Sequence, residues 1–367
     1  MSTLKAINLQ HPSATNPAIV LATDGSAAGN FSSSNGGPLA GFRNRIINGD
    51  FDFWQRGTSF TGNEYGADRW VNSRAGTTHT ATRQAFTLGQ TDVPGEPTYF
   101  CRTIVASVAG AGNNSILLQK IEDVRTFAGQ QVTISFWAKV DATKNIAVDI
   151  RQYFGTGGSP SALVRGIGTT KVSIGTSWQK VTVTATMPSI SGKTLGTDNN
   201  NHLTLNIWFD AGSDWNSDTD SLGQQSGTFD IAQVQIEPGP VATPFEQRPI
   251  GTELALCQRY FEKSYPIASA LGAVTSLGAW ESVSLSNTNF YDFGRLKFTT
   301  RKRATPTISL WSADGTAGAL YNLTASTNQG NSRASNIADT GARIDCSNAA
   351  MAINNAFSTH WAASAEL

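Results

Sequence analysis

Between residues 116 and 236, apolar and polar residues alternate in run after run, and no stretch of helical periodicity interrupts them. Val, Ile and Thr dominate these runs, and such residues suit the pleated, half-buried surface of a β-strand. Short strands separated by turn residues, without crossover helices, pack as two antiparallel sheets. The pattern therefore predicts an all-β chain with a β-sandwich over residues 44–248. The runs lie at residues 116–121, 132–138, 146–150, 179–185, 203–209 and 229–236.

The charge of the chain excludes some partners. The sequence holds 27 Lys plus Arg and 27 Asp plus Glu, so the net charge is zero, and charged residues make up only 15%. A broad electrostatic surface for nucleic acid or for an anionic membrane is therefore not expected. Little charge with many small polar residues suits an extracellular or virion-type surface. Disorder over most of the chain is excluded, because 39% hydrophobic residues and nine Trp supply cores.

The cysteines and the N-terminus bear on the compartment. Cys101, Cys257 and Cys346 are odd in number and far apart, and they form no CxxC pair. They predict neither a disulfide framework nor a zinc site, and we interpret them as reduced core residues. The N-terminus has no apolar stretch after a basic start, so we expect no signal peptide. No apolar stretch is long enough to predict membrane insertion.

Residues 1–43 differ from the rest of the chain. A short apolar strand is predicted at residues 18–21, and a tract of Ser, Gly and Asn follows it. Such a segment buries too little surface to fold alone. It is either a disordered tail or an extended arm that orders on a partner. We prefer the arm, because its apolar residues would be wasted in a pure linker. The residues expected to bind the partner are Ile7, Leu9, Ile19, Val20 and Leu21.

A helix is predicted at residues 252–264, inside a connecting segment that spans residues 249–266. Leu254, Cys257 and Phe261 form one apolar stripe on it, and Leu256 and Tyr260 form a second. A helix that is apolar on two sides is buried on two sides. The helix is either wedged between two domains of one chain or packed partly against symmetry-related copies of the chain. The sequence leaves both interpretations open.

Residues 267–367 return to strand-like alternation and predict a second, smaller β-sandwich. Trp361 lies so near the end that we expect the last residues to be tied into a sheet. A basic run either faces an anionic glycan or forms a charged sheet edge, and the charged edge is preferred. The run consists of Arg295, Lys297, Arg301, Lys302 and Arg303. The strands are predicted at residues 280–285, 290–300, 307–311, 319–324 and 342–346.

The common catalytic templates do not fit this sequence. It contains no GxSxG element and no HExxH element, and its four histidines are scattered. Gly192-Lys193-Thr194 mimics the end of a phosphate-binding loop, but no strand-to-helix unit surrounds it. We therefore expect neither an enzymatic activity nor a cofactor.

A loop rich in Asp and Asn, at residues 210–220, is the candidate ligand site. Trp rings stack on the apolar C–H faces of sugars, and nearby polar side chains bond the hydroxyls. Trp215 lies in this loop beside Asp214 and is the best exposed candidate, whereas Trp208 and Trp54 are better explained as core. The aspartates of the loop have the chemistry to bind calcium, but a solvated loop of turn formers is preferred.

Several motifs together resemble a known family. Residues 44–56, NRIINGDFDFWQR, resemble the opening of carbohydrate-binding-module jelly rolls. They resemble still more closely the opening of bacteriophage tail-fibre and related virion proteins. The resemblance covers residues 44–266 well and the remainder moderately. Similar elements are YGADRW at 65–70, SFWAK at 135–139, FDIAQVQIEPG at 229–239 and LCQRYFE at 256–262.

The resemblance implies a virion structural protein with a jelly-roll sandwich, usually a homotrimer and often a binder of host-surface glycans. It implies that the N-terminal arm attaches the protein to other virion proteins. Acidic residues at the positions of Asp52 and Asp230 can ligate a structural calcium in carbohydrate-binding jelly rolls, so the resemblance makes these two residues candidate metal ligands.

These observations lead to three hypotheses about function. The first is a non-enzymatic, trimeric tail-fibre or appendage protein, assembled into the virion in the host cytoplasm. The alternative is a capsid decoration protein, a cement or head-fibre protein that holds capsomers. A glycan depolymerase is least favoured, because such enzymes need paired carboxylates in a long groove and often use repeated β-helix coils. The sequence does not distinguish a tail-fibre protein from a capsid decoration protein.

Overall fold

The computed structural model describes residues 8–9, 19–21, 27–29, 41–284, 291–347 and 353–367. For the three short ranges before residue 30, and for residues 291–293, only the backbone is described. Strands dominate these parts of the chain, as the alternation predicts. Within them, no helix has both the length and the apolar character needed to cross a membrane.

Three short strands precede residue 30, namely β1 (Asn8–Leu9), β2 (Ile19–Leu21) and β3 (Ala27–Gly29). They pair antiparallel in the order β1-β2-β3. The strand predicted at residues 18–21 is β2. Within the predicted arm, these three strands therefore fold back on one another. Ile7 lies outside the described residues, and the binding of a partner by this arm stays a prediction.

Twelve strands build the main body. Sheet I has the order β13-β10-β15-β8-β7-β4, and sheet II has the order β12-β11-β14-β9-β6-β5. From β8 to β11 successive strands alternate between the two sheets, as in a jelly roll, and the predicted β-sandwich is confirmed. The strands are β4 (Ser59–Phe60), β5 (Glu64–Tyr65), β6 (Trp70–Ala75), β7 (Thr78–Ala85), β8 (Tyr99–Ala106), β9 (Asn114–Glu122), β10 (Gln131–Val140), β11 (Lys144–Tyr153), β12 (Val164–Ile174), β13 (Gln179–Thr186), β14 (His202–Ala211) and β15 (Gly227–Pro238).

The period of two places the core of the sandwich between the sheets. In β10, Ile134, Phe136 and Ala138 are buried in the core. Trp137 and Lys139 point to the opposite side and are only half-buried. Successive side chains of a strand face opposite sides of its sheet, so one strand supplies both a core face and an outer face. The outer face of sheet I is therefore the place where β10 can meet a ligand.

Helical residues are few. A 3₁₀ turn (Ser213–Trp215) and the short helix α1 (Asn216–Thr219) connect β14 to β15. Helix α2 (Ile250–Gln258) follows the sandwich. The prediction of a helix over 252–264 is wrong at its C-terminal end, because the chain leaves the helix after Gln258 and forms strand β16 (Phe261–Lys263). Strand β16 pairs with the last strand, β24 (Ala356–Ser364), and this tertiary pairing overrides the local helical pattern.

The apolar stripe predicted on the helix divides between two elements. Cys257 is fully buried in α2, Leu254 is half-buried there, and Phe261 is buried in β16. The segment contacts both neighbours along the chain. Arg259 forms an ion pair of 2.8 Å with Glu122 of the sandwich, and Lys302 of the C-terminal domain donates a hydrogen bond of 2.7 Å to the carbonyl of Gln258. These contacts favour a wedge between two domains of one chain.

The C-terminal domain packs two small sheets on one core. Strand β24 is the centre of the first sheet and pairs with β16, β17, β19 and β20; the second sheet has the order β18-β23-β22. Both sheets contribute to the core, which includes Leu310 and Trp361 from the first and Ile344 from the second. The second, smaller β-sandwich is thus confirmed. Its remaining strands are β17 (Trp280–Val283), β18 (Tyr291–Lys297), β19 (Thr307–Trp311), β20 (Leu320–Asn322), β21 (Thr327–Gln329), β22 (Ser332–Ala338) and β23 (Gly341–Cys346).

A buried carboxylate joins the C-terminal domain to the sandwich. Glu366 contacts Arg56 at 2.9 Å and also forms an ion pair with Arg69, whose side chain is only 1% exposed. The Arg56 guanidinium lies 3.6 Å from the centre of the Phe261 ring, and that of Arg69 lies 3.5 Å from the centre of the Tyr260 ring. We call Glu366, Arg56 and Arg69 the Glu366 clamp. Two arginines from the sandwich thereby hold one carboxylate from the C-terminal domain.

Neutralising this carboxylate should loosen the clamp. The change Glu366→Gln leaves Arg69 buried without its counter-charge, and breaking a buried pair in this way costs about 3–5 kcal/mol. The midpoint of chemical unfolding, followed by tryptophan fluorescence, should therefore fall. Asp339→Asn is the matched control, because it breaks an ion pair with Arg301, whose side chain is 74% exposed, and such pairs contribute less than about 1 kcal/mol. Equal midpoints for both variants would contradict the clamp.

Candidate functional site

Trp215 does not stand free in its loop. Its ring lies 5.3 Å from that of Trp208, and its Nε1 donates a hydrogen bond of 3.0 Å to the carbonyl of Gly112. The guanidinium groups of Arg151 and Arg165 lie 5.8 and 5.7 Å from the ring. The ring is half-buried, so the expectation of an exposed platform is wrong. The reason is that Trp215 covers the apolar cluster around Trp208 on the outer face of sheet II.

The other residues of this first candidate site are divided between core and solvent. Asp214 is exposed, and its backbone N–H donates to the carbonyl of Ala111 at 3.0 Å. Trp208 and Trp54 are buried, which confirms their interpretation as core residues. The Asp149 carboxylate accepts a hydrogen bond of 2.6 Å from Trp208 Nε1. The loop is therefore a packed structure around Trp208, with Asp214 at its rim.

The two candidate metal ligands do not share a site. Asp230 lies in β15, and both of its oxygens accept hydrogen bonds from Arg102, at 2.7 and 2.8 Å. Asp52 instead lines a cavity of about 130 Å³ together with Asp50 and Glu253. Among the described residues, no group of three or more His, Cys, Asp or Glu has an arrangement that could hold a metal ion. The side chains present thus do not fit the implied calcium.

The carboxylates of this cavity are held close together with little solvent. Burial, followed by the charges of Asp52 and Glu253, raises the pKa of Asp50 to about 8. Burial and the charge of Glu253 raise the pKa of Asp52 to about 6. Oxygen Oδ1 of Asp50 is buried and has no hydrogen-bond partner in the described part of the chain. Glu253, by contrast, accepts a hydrogen bond of 2.9 Å from Arg248. A proton on Asp50 therefore relieves repulsion between the carboxylates.

The basic run of the C-terminal domain does not form one surface. Lys302 is buried and forms an ion pair with Glu262. Arg303 donates to the carbonyls of Ala365 and Asn199, and Arg301 pairs with Asp339 at 2.6 Å. Only Arg295 and Lys297, in β18, are exposed without an ion pair in the described residues. Most residues of the basic run therefore form ion pairs or hydrogen bonds within the protein. The preferred interpretation, a charged sheet edge, holds for Arg295 and Lys297 alone.

The outer face of sheet I holds a groove that the sequence analysis did not identify. It has a volume of about 510 Å³, within the range of ligand sites, and Trp137 of β10 forms part of its wall. Lys180 of β13 is the cross-strand neighbour of Trp137. We call this space the Trp137 groove. Its lining residues are Trp137, Lys180 and Gln233 from the sheet, with Pro94, Gly95, Ala242, Pro244, Phe245 and Gln247 from the flanking loops.

Two amide side chains give the groove polar groups in fixed positions. Gln233 lies at an irregularity of β15 and has a φ of +50°, which directs its side chain towards the neighbouring loop. Its Nε2 donates to the carbonyl of Pro94 at 2.8 Å, and Nε2 of Gln247 donates to that of Gly95 at 3.1 Å. These bonds engage the amide nitrogens, and the oxygen of an amide is a hydrogen-bond acceptor.

A second aromatic cluster borders the same face. Trp178 precedes β13, and its ring packs against Phe86 at 5.2 Å and Phe100 at 5.3 Å. Phe100 belongs to β8, which lies three strands away from β13 in sheet I. The Trp178 side chain therefore extends across the outer face of the sheet. Nζ of Lys139 lies 5.2 Å from the Trp178 ring. Lys139 is also two residues from Trp137, so it lies between the two tryptophans.

One sequence signal could have identified Trp137. Phe136 and Trp137 are consecutive in an alternating run, so they must face opposite sides of the sheet. Phe136 shares its side with Ile134 and Ala138, which makes that side the core. Trp137 and Lys139 are therefore predicted to lie on the outer face of the sheet, where a large aromatic side chain is accessible to a ligand.

The comparisons with known proteins find similarity only among solved structures. No family model matches the chain, and no curated protein matches it. A family 4 carbohydrate-binding module is 17% identical over 53% of this chain and 99% of its own, with a TM-score of 0.30. A family 11 carbohydrate-binding module from Clostridium thermocellum, in complex with a mixed-linked tetrasaccharide, is 10% identical over 51% and 99%, with a TM-score of 0.31.

A third solved structure comes from a bacteriophage. The enzymatically active domain of bacteriophage CBA120 tailspike protein 4 is 15% identical over 53% of this chain and 21% of its own, with a TM-score of 0.31. At these identities and TM-scores, none of the three carries an argument about what this chain binds.

The acidic cavity predicts a pH-dependent stability. The pKa of Asp50 is raised from 3.8 to about 8 in the folded chain, so the unfolded chain releases this proton first as the pH rises. Between pH 4 and 8 the free energy of unfolding should therefore fall. Asp50→Asn cannot ionise, and at pH 9 it should be more stable than the wild type by at least about 1.4 kcal/mol, the equivalent of one pKa unit.

The measurement is urea unfolding of wild type and Asp50→Asn at pH 5 and pH 9. Asp220→Asn is the control, since Asp220 is exposed and its loss should not change the pH dependence. A variant that is less stable than the wild type at pH 9 would contradict the interpretation. A rise of the wild-type midpoint on addition of calcium would mean that the carboxylates hold a metal after all.

Proposed function

We propose that the protein is a non-enzymatic structural protein of a bacteriophage particle, a trimeric fibre or appendage protein that binds host-surface glycan in the Trp137 groove. The observation that carries the glycan part is a half-buried Trp137 in an open groove of about 510 Å³ with two oriented amides. The arm before residue 44 attaches the protein to other virion proteins.

The groove has the chemistry that sugar recognition requires. A pyranose ring presents an apolar face, which stacks on an indole, and hydroxyls at its edge, which need partners in fixed positions. Trp137 supplies the indole, and the amide oxygens of Gln233 and Gln247 supply acceptors. No Asp or Glu lines the groove within the described residues. Hydrolysis of a glycoside uses a pair of carboxylates, so the lining favours binding over cleavage.

The assignment to a virion rests on the sequence. The motifs at residues 44–56, 65–70 and 135–139 resemble those of phage tail-fibre and related proteins, and the low charge suits a particle surface. Capsid decoration is the alternative location. Immunogold labelling of intact particles distinguishes the two, because a fibre protein labels the tail or its appendages and a decoration protein labels the head.

Removing the stacking ring should weaken glycan binding. Trp137→Ala should reduce the affinity for a bound glycan by about fivefold to 150-fold, equivalent to the roughly 1–3 kcal/mol of one stacked ring. The measurement is an array of surface glycans from susceptible bacteria, followed by calorimetry on the best ligand. Trp215→Ala is the matched control, because it removes a half-buried Trp from the loop that packs on the outer face of sheet II.

Two outcomes would correct the proposal. If Trp215→Ala loses affinity and Trp137→Ala does not, the site is the loop at residues 210–220. If the wild type binds no glycan from any susceptible bacterium, the proposal of glycan binding fails and decoration becomes the better reading.

The proposed assembly has its own test. Light scattering of the purified protein should give about three times the chain mass of 39.0 kDa. A truncation that removes residues 1–40 should still assemble, since the sandwich has its own core, but should no longer attach to particles. A monodisperse monomer at micromolar concentration would contradict the trimer, and an unfolded truncation would contradict the role of the arm.

A further inference from the structure

We propose that the glycan of the Trp137 groove carries a carboxylate, as a uronic acid does, and that Lys180 binds this group. The inference rests on the proposed function and concerns the same groove. It comes from the charges on the outer face of sheet I, which do not balance.

The face carries two carboxylates, and each is already neutralised. Asp230 is 2% exposed and accepts two hydrogen bonds from Arg102. Glu237 is fully buried and accepts from Nη2 of Arg43 at 2.9 Å, as well as from Thr243. A carboxylate that is buried and paired in this way exerts little attraction on a second cation.

Two lysines therefore remain without a carboxylate of their own. Nζ of Lys139 lies 3.6 Å from Asp230, which already holds Arg102 in a two-bond contact. Lys180 is exposed, and within the described part of the chain its Nζ donates to the carbonyl of Thr243 alone, at 3.2 Å. Counting these residues, four cations face two carboxylates. The surplus positive charge lies on the two lysines that flank Trp137.

The position of Lys180 relative to Trp137 suits a charged sugar. The two residues are directly paired across β13 and β10, so their side chains leave the sheet side by side. Directly opposed side chains have Cβ atoms about 4.5–5.5 Å apart. A sugar ring stacked on the indole thus places a substituent at its edge within reach of Nζ. An ammonium group is a compact point charge that binds a carboxylate without needing a planar two-bond geometry.

A neutral sugar would use the ring and the amides but not the charge. The carboxylate form should therefore bind at least about tenfold more tightly than a form reduced to the alcohol. Because the groove is open, this preference should weaken as added salt screens the charges.

The experiment uses the full-length protein and pairs of oligosaccharides. Each uronic-acid oligosaccharide is compared by calorimetry with the same oligosaccharide after reduction of its carboxyl groups, at 50 and 300 mM salt. The wild type should prefer the acidic member at least tenfold at low salt. Lys180→Gln should bind both members about equally, and Lys180→Arg should retain the preference. Lys180 is exposed, and thermal unfolding of each variant checks that the fold is intact.

The outcomes separate the two proposals. Equal affinity of the wild type for acidic and reduced members overturns the inference and leaves glycan binding standing. A preference for the acidic member that persists in Lys180→Gln also overturns the inference, because another residue then binds the carboxylate. Binding of neither member overturns this inference, whereas glycan binding as such is decided by the array of surface glycans. Binding of polyphosphate as tight as that of the acidic sugar, and unaffected by Trp137→Ala, would show a charge effect without sugar recognition.

Discussion

The burial of Glu366 between Arg56 and Arg69 is the interaction on which the relation of the two domains depends. Arg69 is almost wholly out of solvent, and a buried guanidinium is tolerated only with a counter-charge and further hydrogen-bond acceptors. Within the sandwich Arg69 donates to the carbonyl of Lys120, and the C-terminal domain adds the carboxylate of Glu366. The contact between the two domains therefore supplies the counter-charge of this buried guanidinium.

This dependence explains the motif residues that point towards the C-terminal domain. Gln55 donates to Asp68 at 2.6 Å and to the carbonyl of Phe261 at 3.1 Å. Arg56 and Arg69, from the WQR and ADRW elements, hold Glu366. In this protein these elements therefore supply residues that contact the next domain. The groove at Trp137 lies on another part of the molecule and uses different residues.

The sequence predicted the sheets well but did not identify the Trp137 groove, for a physical reason. The alternation of apolar and polar residues depends on burial along a single strand, so it can be recognised locally. The predicted runs at 132–138 and 203–209 lie in β10 and β14, and β19 has the predicted bounds 307–311. Whether a side chain is free or covered depends on residues far along the chain. Trp215 was expected to be exposed, but Trp208 lies against it, and Phe261 was placed on a helix because its pairing with β24 is not local. The Trp137 groove is also formed by segments that are far apart in the sequence, namely the loops at 94–95 and 242–247 and the outward-facing Trp137.

The pairing of β16 with β24 has a mechanical consequence. Strand β16 is the first of the C-terminal domain and β24 is its last, and the two lie hydrogen-bonded side by side where the domain meets the sandwich. Both ends of the domain are thus anchored at one place, through α2 on one side and the Glu366 clamp on the other. A force applied to the far side of the domain is shared between these two attachments. The domain therefore transmits torque to the sandwich, whereas a domain with a single attachment would rotate about it.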